Sequence, residues 1–189
     1  MRETILVLML SAVGSIAVGL LLGTIEHILR NFIGLLVLVP PLMSIRGAIG
    51  GSFSARLSTA LHLGTVKPQL RKNTSIFKKS FTATMILTLI LPIWIGVLAY
   101  LVTYFFPIEI AEGQPLSLFG FILIAELSGL LSGFLQAIVT IFLSIITYRK
   151  GLDPDVVVSP ILYTTGDIIG VIALVFITQL LFTLGVGLT

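Results

Sequence analysis

Apolar residues run along most of this chain in blocks too long for a soluble fold, and the breaks between them divide it into five helical segments. The first runs from about Ile5 to Ile25, the second from Ile33 to about Val66, and the third from about Phe81 to Phe105. The fourth covers about Leu118 to Ile146 and the fifth about Val156 to Leu184. A helix needs about 20 apolar residues to cross the hydrocarbon core, so each block is long enough to span a bilayer. The pattern predicts an all-α integral membrane protein of five transmembrane helices, with residues 1–189 forming one transmembrane domain. As one straight helix the second segment would measure about 50 Å against a core of about 30 Å, so it is expected to tilt, project or break. Pro40, Pro41 and the Gly47, Gly50, Gly51 cluster are the places for a break, because proline removes a donor and glycine tolerates unusual dihedrals.

The polar positions inside these blocks carry more information than the apolar ones. The stretch Pro40 to His62, PPLMSIRGAIGGSFSARLSTALH, places Ser44, Gly47, Gly51, Ser54, Ser58 and His62 at steps of three or four, hence on one helix face. Hydrocarbon cannot satisfy such a stripe, so it packs on other helices or lines a wet cavity. Arg46 and Arg56 lie off it and read as structural. His62 falls near the inner end and reads as an interface residue. Ser15, Gly19 and Gly23 give the first segment a close-packing seam; a retained packing helix fits this long run better than a cleaved leader. In the fourth segment Glu126, Gly129, Gly133, Gln136, Thr140 and Ser144 form a second small and polar face. Asp167 lies roughly 20 Å along the fifth helix from Asp153, close to mid-bilayer. Pro160, Thr164 and Thr178 share its side, and Pro160 frees the carbonyl of Val156 from its usual helix bond.

Charge sets the orientation. Lys67, Arg71, Lys72, Lys78 and Lys79 crowd the link between segments two and three, and Arg149 and Lys150 follow segment four. Positive charge concentrates on the cytoplasmic side, so the N-terminus is expected inside and the C-terminus outside. Glu109 and Glu112 then belong to an outer link, where they solvate the surface or concentrate cations. Glu26, His27, Arg30 and Asn31 form a short polar link before segment two. The composition agrees: 57% of the 189 residues are hydrophobic and 10% charged, and the mean hydropathy is +1.16. The absence of cysteine removes disulfides and thiolate metal sites.

A mid-membrane aspartate costs about 2.5 to 3.5 kcal/mol even on the mild insertion scale, so Asp167 needs a partner or an ion. Carboxylate, hydroxyl, carbonyl and water oxygens are what hard divalent cations prefer, and magnesium, which dehydrates reluctantly, needs only one or two carboxylates. The polar faces of segments two, four and five could therefore enclose a path for Mg2+ or another divalent ion, with Asp167 as first ligand and Glu126 as a second acid. Against this stand a structural pairing of Asp167 or Glu126 with Arg46 or Arg56, and small-residue stripes that serve only as packing seams. An intramembrane hydrolase finds no support, since neither H-E-x-x-H nor a cysteine nucleophile is present.

At Ala55 to His62, ARLSTALH, and at Asp153 to Gly170, DPDVVVSPILYTTGDIIG, the chain resembles the membrane domain of the MgtE-type magnesium transporters. It is closer to the branch shared with the animal solute-carrier magnesium transporters. The resemblance implies a five-helix divalent-cation pathway, usually built as a homodimer or as two fused halves, of which this chain supplies one unit of an expected pair. The compactness of the chain suggests the plasma membrane of an archaeon or bacterium. It also implies that Asp167 binds the ion, with the carbonyl near Tyr163, the neighbouring Thr164, and the second-helix turn at Gly47 and Ala48 facing it. Family members commonly carry asparagine where this chain has Ala48, which removes one side-chain ligand. The bacterial proteins' cytosolic magnesium-sensing domains have no counterpart in this sequence. Such a protein is not an enzyme, and its partners are the cation, the bilayer and a second copy, not nucleic acid. The alternative is a non-transporting membrane subunit that stabilises or regulates a partner through its glycine and serine seams.

Overall fold

A computed structural model of the protein describes residues 2–30, 32–69, 73–106 and 114–186. Five long helices follow one another: α1 Arg2–Arg30, α2 Leu35–His62, α3 Ser75–Phe105, α4 Leu118–Arg149 and α5 Pro154–Thr183. Among the described residues α2, α3, α4 and α5 are each long and apolar enough to cross a membrane, while the apolar run described in α1 is Ser11–Glu26. Two-residue segments at Phe32–Ile33 and Gln114–Pro115 pair in parallel, tying together the α1–α2 and α3–α4 links at one end of the bundle. At the opposite end Arg149 donates from Nε and from its terminal nitrogen to the Pro68 carbonyl, at 2.9 and 2.6 Å. The two basic links therefore share one end, as the charge pattern predicts. Arg71 and Lys72, like Glu109 and Glu112, lie outside the described residues.

Local chemistry fixes the helix ends. Thr74, Ser117 and Asp153 cap α3, α4 and α5 by accepting from the backbone N–H of Phe77, Gly120 and Asp155, the role for which short oxygen-bearing side chains are favoured. Thr74 starts α3 six residues ahead of the apolar run, so Lys78 and Lys79 ride on its first turns. The polar stretch after Ile25 is likewise helical to Arg30, since nothing in it breaks a helix. Helix α2 is shorter than its apolar run. It ends at Gly64, which takes φ 67° while the N–H groups of Gly64 and Val66 return to the carbonyls of Leu61 and Ala60, a left-handed cap that only glycine adopts without strain.

The backbone of α2 stays helical through Pro40 and Pro41. Both prolines fall early in the helix, and its 28 residues come to about 42 Å, which moderate tilt and a short projection accommodate.

Packing produces two apolar plugs with a polar layer between them. One plug joins Leu35, Leu38 and Leu42 of α2 to Ile95, Phe121, Ile124, Leu174 and Ile177. The other joins Phe53, Leu57 and Leu61 to Ala137, Ile141 and Ile145, with Phe77 and Phe81 against it. Helices α3 and α4 approach closely at Gly96, where a Cβ would stand 2.7 Å from the Ile122 backbone. Helix α1 packs mainly on α5. It leaves Ile5, Met9, Val13, Ile16 and Leu20 exposed, the lipid-facing side expected of a peripheral membrane helix.

Candidate functional site

The polar layer holds several of the groups that sequence reasoning selected, but distributes them over two sites and leaves Thr164 and Glu126 outside both. The first lies on the α2–α5 contact. Tyr163 is half exposed, at 51%, and its ring lies over a groove on α2: a Cβ at Gly47 would meet the ring at 3.2 Å, and one at Gly51 would meet the hydroxyl at 3.2 Å. The glycine spacing is thus a seat for an aromatic ring. Asp167 follows one turn later and is partly buried. It stands between the Tyr163 turn and the Gly170 turn, both of which bear on α2. Beside them α2 leaves Ser44, Ala48, Ser52, Ala55 and Thr59 exposed, a small and polar strip on the outside of a membrane helix.

The second site is an internal, partly open cavity between α2, α3, α4 and α5, lined among others by Arg46, Thr84, Thr88, Ser128, Ser132 and Gln136. Its room for water centres is about 40 Å³, several times the ~10–15 Å³ that one water needs. The hydroxyls of Thr88, Ser128, Ser132 and Thr140 donate to carbonyls one turn back in their own helices, which keeps polar side chains tolerable in an apolar bundle. Gln136 ties three helices together. Its amide donates to the Leu162 carbonyl of α5 at 3.4 Å and fills the space that a Cβ at Gly50 or Gly166 would occupy.

The α2 stripe does not act as one face. Ser54 and Ser58 are fully buried, Gly47 and Gly51 lie under Tyr163, and Ser44 and His62 are exposed. Steps of three and four drift around a helix of 3.6 residues per turn, so a long stripe passes from one neighbour to the next. His62 sits at the end of α2, with Nδ1 at 3.0 Å from the Ser58 carbonyl and its ring edge-on to Tyr148.

Among the predicted ligands, Asp167, Tyr163, Gly47 and Ala48 come to one stretch of the α2–α5 contact. Thr164 does not join them. It is buried against α1, where its hydroxyl lies 3.0 Å from that of Ser11 and next to the Pro160 carbonyl. Glu126 is also apart. It lies ten residues, or about 15 Å, along α4 from Gln136, the residue that marks the depth of Asp167. Both carboxylate oxygens of Glu126 are buried without a hydrogen-bond partner, and Arg56 is engaged instead with Ser52. Among the described residues no three His, Asp or Glu side chains gather as a metal cluster.

Sequence reasoning missed the α3 contribution to the polar layer and the inward placement of Arg46, which is 8% exposed. The steps of four in Thr84, Thr88 and Pro92 were a signal for the first. For Arg46 the signal was its position inside a membrane-length helix, where a charge turns to the bundle interior, but which neighbour it would meet depended on where the facing helix leaves room.

A helical protein with four membrane-length apolar helices among its described residues, an aspartate inside one of them and an exposed polar strip beside it is in class a multi-pass membrane protein. Residues 39–177 match the MgtE family, described as divalent cation transporter. This chain belongs to that family, which is one of transporters and not of enzymes. It is 25% identical over 185 residues to solute carrier family 41 member 2 of Gallus gallus, covering 93% of this chain and 30% of that protein. The Homo sapiens member 2 is 23% identical with the same coverage, and Rattus norvegicus member 3 is 25% identical over 173 residues, covering 86% of this chain and 35% of that protein. The chain spans about a third of the length of these curated relatives.

Proposed function

We propose that residues 1–189 act as one transport domain that moves a divalent cation, Mg2+ first, across the plasma membrane, with the ion held partly hydrated at Asp167. The observation that carries this reading is the position of Asp167, mid-helix on the α2–α5 contact, beside an α2 strip whose polar groups would otherwise face hydrocarbon. A single carboxylate with backbone carbonyls near Tyr163, the Gly47–Ala48 turn and retained waters meets the needs of an ion that keeps most of its shell. With alanine at position 48, selectivity rests on hydration and fit more than on a side-chain amide.

The path runs along α2 and α5 on the strip side, and α4 supports it from behind through Gln136. The internal cavity is a poor cation route, because the Arg46 guanidinium lines it. In one protomer the strip has no protein cover. A second copy related by a two-fold axis would close it, placing the path at or beside the axis. In this arrangement α1 makes the fifth crossing, the N-terminus is cytoplasmic and the C-terminus outside.

The test is divalent uptake into proteoliposomes containing a magnesium-sensitive dye. Asp167→Asn keeps shape and removes charge, and the expected result is loss of flux from protein that still folds and pairs. Wild-type protein that folds but carries no Mg2+, Mn2+ or Ca2+, with or without sodium and proton gradients, would favour a non-transporting subunit instead.

A further inference from the structure

The geometry points to Arg46 as a tethered cation that takes the place of the transported ion beside Asp167 and withdraws into the internal cavity when the ion arrives. This rests on the reading of Asp167 as the ion's ligand and adds what happens there between ions. Three observations meet at this side chain.

First, α5 leaves a notch for it. The guanidinium lies directly on the backbone of Gly170, so closely that the Cβ of any other residue would overlap it. Gly170 is one turn from Asp167, and the two charges act on each other. Among the described residues no direct ion pair joins them, and Nε of Arg46 is buried without a partner. A guanidinium left in this condition is costly in an apolar bundle, and among the described residues Nε has no hydrogen bond to hold it in place.

Second, the cavity, whose wall Arg46 and Gly170 already form, gives the guanidinium room to turn further inward. Arg46 and Gln136 line the same space, and Oε1 of Gln136 is likewise buried without a partner. The hydroxyls of Thr88, Ser128 and Ser132 spend their protons on their own helices, which leaves oxygen lone pairs to accept from a donor in the cavity. The space holds more than one water, so a guanidinium turned inward finds both acceptors and hydration.

Third, the arrangement answers a requirement of transport. A bare mid-membrane carboxylate would hold a divalent cation too long, whereas conduction needs binding weak enough for release. With Arg46 near, the empty site is already neutralised, so an incoming ion must displace the guanidinium, and the returning guanidinium speeds departure. Arg46 is thereby a positioning residue that acts through Asp167 and does not itself bind the ion.

The experiment has two arms. In detergent, thermal unfolding of Arg46→Gln, Asp167→Asn and the double variant measures whether the two charges answer each other: the double variant is expected to melt above either single one. Melting losses that simply add would overturn the pairing, whatever the flux. In proteoliposomes, Arg46→Gln is expected to lower both the apparent KM for Mg2+ and the maximal rate, each by about tenfold, with Arg46→Lys close to wild type. A KM that stays or rises would overturn the displacement role. Should Arg46→Gln fail to fold, Gly170→Ala, which pushes the guanidinium off its notch with all charges intact, must change KM, and an unchanged KM refutes the proposal. Flux surviving in Asp167→Asn would remove the transport reading, and the proposed role of Arg46 in it, while the unfolding arm still decides whether the charges are paired.

Discussion

Replacing Gly166 by alanine tests whether the three-helix junction at Gln136 sets the position of Asp167. A Cβ at this position would stand 2.7 Å from Nε2 of Gln136 and 2.9 Å from both Cδ and Oε1. Ordinary heavy-atom contact is near 3.5 Å or more, so the amide and the new methyl must separate by about 0.8 Å. The amide cannot retreat toward α2, because a Cβ at Gly50 would itself lie only 2.6 Å from Nε2. Either α5 moves outward or Gln136 changes rotamer and gives up its bond to the Leu162 carbonyl. Overpacking of this kind costs about 1 to 3 kcal/mol, and losing one hydrogen bond adds about 1 kcal/mol. Relief from a helix-interior glycine returns at most about 1 kcal/mol, so the net effect is destabilising by roughly 1 to 3 kcal/mol. The contrast is Gly19→Ala in α1, where a Cβ meets nothing within 4 Å and only the propensity gain of up to about 1 kcal/mol remains. Denaturant or thermal unfolding in detergent should therefore move the two variants in opposite directions. Uptake measured at equal folded protein should fall for Gly166→Ala, because Asp167 is its immediate neighbour. Equal stability in the two variants would refute the wedged geometry, and full uptake from a destabilised Gly166→Ala would refute the coupling of junction to ion site.

Two further outcomes separate the candidate ligands. Glu126→Gln should leave uptake close to wild type and match or raise thermal stability, since it removes charge from oxygens buried without partners; lost uptake from folded protein would return Glu126 to the ion path. Gly47→Ala should fold with little loss, because Tyr163 is half exposed and can yield a few tenths of an ångström to the new Cβ, yet reduce Mg2+ uptake by crowding the α2–α5 contact; unchanged uptake would move the path away from that contact.

Much of the architecture was legible from periodicity and charge alone. Five apolar runs and basic residues gathered in two links settle helix number, approximate extents and which links share an end, because each depends on neighbours within a few residues. The cost of Asp167 was legible as well, since a carboxylate inside a membrane-length helix is expensive wherever the other helices lie. Only the tertiary structure decided which polar residues meet. The stripe on α2 divides between three environments, Thr164 turns to Ser11 while Tyr163 settles on Gly47 and Gly51, and Glu126 stays about 15 Å up its helix from the depth of Asp167. The inward course of Arg46 depends on a missing Cβ at Gly170, more than a hundred residues further along the chain. Helical spacing determines which residues share a face, but the rotation and depth of each facing helix determine what that face touches, and those follow from the packing of all the helices together.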